Sequence, residues 1–136
     1  MLNGQVSPST VLIAEDDADI QMLLLLALRN AGFVAEGVDG GIDALASARR
    51  DNYQAVVLDI RMPDMSGLEV CRQLKADDDV TSAILLISAN CSSEDVEEGY
   101  AAGADDYLPK PFSPRELVER VGLLIARGAN HDAQSG

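Results

Sequence analysis

The sequence has no tryptophan, only two phenylalanines and three tyrosines, so aliphatic side chains must build most of any core. It has a single histidine, His131, and two cysteines, Cys71 and Cys91, without CxxC spacing. A zinc centre built from His and Cys is therefore excluded, and a reduced, cytoplasmic setting is expected. Basic residues are scarce: 10 Lys and Arg stand against 23 Asp and Glu, for a net charge of −13. Phosphate backbones and anionic bilayers bind through Lys and Arg, so neither nucleic acid nor a membrane surface is expected as a direct partner. No apolar run is long enough to span a bilayer; the longest, Met22–Leu28, is a few residues. The N-terminus has neither the basic start nor the apolar core of a signal peptide.

What the chain does have is enough length, 136 residues, for one domain with one real core. Residues 1–9 read as a polar leader, 10–127 as the domain, and 128–136, "GANHDAQSG", as a loose tail or the start of a linker. No second domain is read from the sequence. Within 10–127 the hydrophobic period alternates. "TVLIA" (10–14), "FVAEGV" (33–38), "AVVLD" (55–59), "AILLIS" (83–88) and "DYLP" (106–109) read as strands. Each is followed by a stretch with helical spacing, such as Ile20, Leu23, Leu24, Ala27, Leu28 and Ala31. Ser66 with Glu69, Ser92 or Ser93, and Ser113 with Pro114 and Glu116 supply helix starts. Three of the strands are apolar throughout, as expected when helices cover both faces of a sheet. The fold class is α/β: a three-layer, doubly wound, five-stranded parallel sheet.

In such folds ligands bind outside the carboxyl ends of the strands. After the first strand come Glu15, Asp16 and Asp17; the third ends in Asp59; the fourth ends in Ser88; the fifth leads into Lys110. Each has an ordinary reading. Asp59 can end a strand and open a turn, the acids can form a solvated first helical turn, Ser88 can be a cap, and Lys110 a surface lysine. Together they gather carboxylates, a hydroxyl and a lysine at one sheet edge. Clustered carboxylates repel unless a cation or proton joins them, and an oxygen-only set suits a hard ion such as Mg²⁺. A carboxylate beside such an ion, with a lysine and a hydroxyl, suits phosphoryl transfer.

Glu15–Asp16, "VVLDIRMPDMSG", "LLISA" and "ADDYLPKPF" occur in this order over nearly the whole chain, and they resemble the receiver domains of two-component response regulators. The resemblance implies a flavodoxin-like sheet of order 2-1-3-4-5. It makes Asp59 the phosphoryl acceptor. It makes Glu15 and Asp16 the acidic metal pair for Mg²⁺, or another divalent ion such as Mn²⁺, joined by Asp59 and by the backbone carbonyl of Arg61. Ser88 and Lys110 then contact the phosphoryl group, and Tyr107 is the switch aromatic, turning inward as Ser88 moves. The Lys110–Pro111 bond is expected to be cis. The implied partners are a sensor histidine kinase or phosphotransfer protein upstream, and downstream a protein or fused output domain met through the fourth helix, fifth strand and fifth helix. Such a domain catalyses only its own phosphorylation and slow dephosphorylation. The rivals are a Mg²⁺-dependent phosphohydrolase with an aspartyl nucleophile, which needs a second Asp where Arg61 stands, and a receiver-like module that is never phosphorylated.

Overall fold

The computed structural model describes residues 9–135. The predicted leader, apart from Ser9, and Gly136 lie outside the described residues. Five strands alternate with five helices: β1 (Thr10–Ala14), α1 (Ala18–Asn30), β2 (Val34–Val38), α2 (Gly41–Asp51), β3 (Ala55–Asp59), α3 (Gly67–Ala76), β4 (Ala83–Ser88), α4 (Ser93–Ala101), β5 (Asp106–Pro109) and α5 (Pro114–Ser135). The strands form one parallel sheet in the order β2-β1-β3-β4-β5. This is the flavodoxin-like arrangement that the motifs imply.

Alternation along each strand divides the core in two. Leu12, Val56, Leu58, Ile84, Leu86 and Tyr107 face one side and meet Leu45 of α2, with Val70 and Leu74 of α3. Val11, Ile13, Val57, Leu85, Ile87 and Leu108 face the other and meet Leu24 and Leu28 of α1, with Leu117 and Val121 of α5. All five residues of β3 are buried, because this strand is central and covered on both faces. β2 lies at the edge and is mostly uncovered, which explains its weaker apolar signal.

The predicted caps form. The Ser66 Oγ accepts from the Glu69 amide at 3.2 Å, the Ser92 Oγ from the Asp95 amide at 3.2 Å, and the Ser113 Oγ from the Glu116 amide at 3.1 Å. The end of α5 differs from expectation. The helix runs on through Ser135, where the sequence reads as a loose tail from Gly128. One glycine in a helix costs only about 1 kcal/mol relative to alanine, and no proline follows to stop the turn.

Candidate functional site

Register brings the strand ends into line. Asp59 pairs with Ile87 and Ser88 with Pro109, while the Glu15 amide donates to the Val38 carbonyl at 3.1 Å. Glu15, Asp59, Ser88 and Lys110 therefore emerge along one carboxyl edge. Carboxylate oxygens of Glu15, Asp16 and Asp59 lie within 4.8 Å of one another.

Asp59 is 4% exposed. Its Oδ2 accepts from Lys110 Nζ at 2.7 Å and its Oδ1 from the Arg61 amide at 3.0 Å. Glu15 is 3% exposed. Its Oε2 accepts from the Asp17 amide at 3.1 Å, but its buried Oε1 has no hydrogen-bond partner among the described residues; Lys110 Nζ is 3.6 Å away. Burial and the neighbouring Asp59 charge push the Glu15 carboxyl up from its ordinary 4.5 to about 7, against the pull of the Asp17 amide. Burial works against the Lys110 ammonium, yet Asp59 and then Glu15 outweigh it and raise its pKa. Asp16 is exposed, at the mouth of the cluster.

An orphaned, buried carboxylate oxygen beside two further carboxylates is costly by itself and fits a hard divalent cation, with water to complete its shell. The donor set is oxygen only, so Mg²⁺ or Mn²⁺ suits it better than zinc. Beside the acids, an open depression is lined by Asp16, Ile60, Arg61, Met62, Pro63 and Ser66. A second cavity, of about 410 Å³, lies at the other end of the sheet, among Asn52, Gln54, Lys75, Asp105 and Arg127, remote from these carboxylates.

The loop after β3 is held tightly. The Gly67 amide donates to the Ile60 carbonyl at 3.0 Å, and a Cβ at Gly67 would run into the Asp59 carbonyl and lie 3.0 Å from the Ile60 Cα. Only glycine lets α3 start this close to the strand that carries Asp59.

Ser88 is 1% exposed, and its Oγ accepts from the Asn90 amide at 3.0 Å. Tyr107 is turned inward, buried, with its hydroxyl donating to the Asn90 carbonyl at 2.6 Å. Beside it, Asp106 Oδ1 accepts from the Tyr107 amide at 2.8 Å and from the Tyr100 hydroxyl of α4 at 3.5 Å, and both Asp106 oxygens accept from Arg120 of α5, at 3.1 and 2.9 Å. The Lys110–Pro111 bond is cis, as expected.

Two supporting residues escape sequence reasoning. Gln21 Nε2 lies 2.9 Å from the Glu15 carbonyl, 2.9 Å from the Val38 carbonyl and 3.0 Å from Asp39 Oδ1, tying α1 to two strand ends. Asp64, in the loop after β3, accepts from the Gly41 amide at 2.9 Å and the Ile42 amide at 3.1 Å and so caps α2, 22 or 23 residues away. These bonds hold its carboxyl below the ordinary range. Neither residue belongs to a local pattern that announces the contact.

Known proteins point the same way. Residues 11–122 match the family model "Response regulator receiver domain". The sensory transduction protein RegX3 of Mycolicibacterium smegmatis is 40% identical over 124 residues, 91% of this chain and 54% of that protein. The chain spans about half the length of the curated relatives it matches. The solved receiver domain of a Francisella response regulator, 1452, superposes with a TM-score of 0.83 at 33% identity, covering 88% of this chain and 98% of that one. The BeF3-activated receiver domain of DrrB, a Thermotoga maritima protein, gives 0.79 at 31%, covering 88% and 98%. This is a family of signalling domains rather than classical enzymes, and an aspartyl phosphohydrolase drops out. Among the described residues no helix is long and apolar enough to cross a membrane. On its four ordered motifs, its strand order and a match over most of its length, the chain belongs to the response regulator receiver domain family.

Proposed function

We propose that Asp59 accepts a phosphoryl group from a sensor histidine kinase or a phosphotransfer protein. A carboxylate oxygen of Asp59 forms the new O–P bond as the donor's P–N bond breaks, and the donor imidazole keeps the electron pair. Lys110, already 2.7 Å from Asp59, neutralises charge on the transferred oxygens, and the Ser88 hydroxyl donates to one of them. Glu15, Asp16, Asp59 and the Arg61 carbonyl hold the divalent ion. Mg²⁺ or Mn²⁺ bound there would supply positive charge to offset that of the acids and the phosphoryl oxygens. Ser88 and Tyr107 form the switch that links the site to α4, β5 and α5. That face meets the downstream partner, either a separate protein or a fused output domain. A cytoplasmic setting is supported by the likeness to receivers and by Cys71 and Cys91, both free, which fit a reducing compartment.

One observation carries this reading: a buried Asp59 bonded to Lys110, facing a buried Glu15 oxygen that has no hydrogen-bond partner among the described residues. The test is incubation with acetyl phosphate and Mg²⁺, followed by intact mass. The native chain gains one phosphoryl group and Asp59→Asn gains none. An unmodified native chain would sink the proposal and favour a receiver-like module that acts without phosphorylation.

A further inference from the structure

The buried position of Tyr107 depends on a missing side chain in the facing helix. A Cβ on Gly99 of α4 would lie 2.8 Å from Tyr107 Cδ2, 2.9 Å from Cε2 and 3.2 Å from Leu86 Cδ1. The ring cannot retreat freely, because its hydroxyl is bonded to the Asn90 carbonyl at 2.6 Å. Gly99 is itself buried and falls inside α4, where glycine is a poorer helix former than alanine. On helix propensity alone, alanine would be the better residue. The contact with Tyr107 reverses that preference.

We propose that Gly99 is a positioning residue that sets the inward fraction of Tyr107. This rests on the reading of Asp59 as phosphoryl acceptor and Tyr107 as its switch. With the ring inward, the space above Gly99 is filled by the aromatic edge. With the ring swung out, the two shortest contacts of a methyl group at residue 99 are lost, and of the three nearest atoms there remains the terminal methyl of Leu86 at 3.2 Å, which can give. Alanine at 99 therefore penalises one state and not the other. A phosphoryl group that favours the inward state then has a larger gap to overcome, and its apparent affinity falls by the factor by which the inward population falls.

The probe is trifluoroberyllate with Mg²⁺, titrated into native protein, Gly99→Ala, Tyr107→Ala and the double variant. Gly99→Ala should weaken binding about tenfold when Tyr107 is present and less than about twofold in the Tyr107→Ala background, the signature of direct coupling. Equal weakening in both backgrounds, or none in either, overturns the proposal. Tyrosine-ring NMR, with Tyr107 assigned through Tyr107→Phe, reads the geometry separately: Gly99→Ala should move that ring toward solvent-exposed shifts, and an unmoved ring counts against it. Should Gly99→Ala fail to fold, folding of the double variant supports the steric account, and its failure refutes it. A native protein that binds no trifluoroberyllate overturns the Asp59 reading, while the ring spectra still decide the role of Gly99.

Discussion

Lys110 Nζ stands 2.7 Å from Asp59 Oδ2, although the two are 51 residues apart in sequence. The contact joins the ends of β3 and β5 across the intervening β4 and supplies the cation that Asp59 lacks locally. Lys110→Gln should slow labelling by acetyl phosphate about tenfold, since one charge-assisted contact is worth roughly 1.4 kcal/mol or more in such a transition state. Intact mass over time measures this, and a native rate in the variant would remove Lys110 from the chemistry.

Glu15 makes the cation-free protein sensitive to pH. Its folded pKa, about 7, lies above the ordinary 4.5, so the folded state holds the extra proton between these values. Stability should then fall as pH rises from about 4.5 to 7 and level off above, by on the order of 3 kcal/mol. Glu15→Gln should flatten that slope in urea titrations, raise stability at pH 8 without divalent ion, and weaken Mg²⁺ binding. A slope that survives in Glu15→Gln assigns it to another group.

Asp64 fastens the loop that carries Arg61 to the first turn of α2. Its lowered pKa means that this stabilisation is present at neutral pH and is lost as pH falls below the ordinary carboxylate value of 3.8. Asp64→Ala should lower the melting temperature at pH 7 and speed amide exchange at Gly41 and Ile42. The difference from native protein should shrink toward pH 3; a constant difference would show that the cap is not electrostatic.

Arg61 and Asn90 lie two residues beyond Asp59 and Ser88, and neither is a carboxylate able to take a proton from an attacking water. Purified phosphoprotein should therefore lose its phosphoryl group over minutes or longer, and Arg61→Asp should shorten that lifetime. Decay within seconds in the native chain, unaffected by Arg61→Asp, would contradict this.

The parts of the fold legible in the sequence are those whose cause is local. β3 and β4 announce themselves as unbroken aliphatic runs because helices cover both their faces, and Ser66, Ser92 and Ser113 mark helix starts with a side chain beside the amide it caps. Of the candidate site, the strand-end acids, Ser88 and Lys110 were visible as residue types, and the order of the strands then brought them together. The rest depends on contacts between distant segments. Nothing near Asp64 signals α2, nothing near Gln21 signals β2, and the need for Gly99 appears only when Tyr107 is seen packed against it. The end of α5 is not legible because a polar, glycine-containing stretch resembles a loose linker, yet it holds no residue that forbids helix.

The Asp106 carboxylate touches three things at once: the Tyr107 backbone, Tyr100 of α4 and Arg120 of α5. A hinge at β5 that shifts Asp106 must lengthen or re-aim its bonds to both helices in one stroke. The two helices are thereby yoked, like two pointers driven from one gear. Tyr100 and Arg120, on separate helices, thus share a single carboxylate anchor at the start of β5.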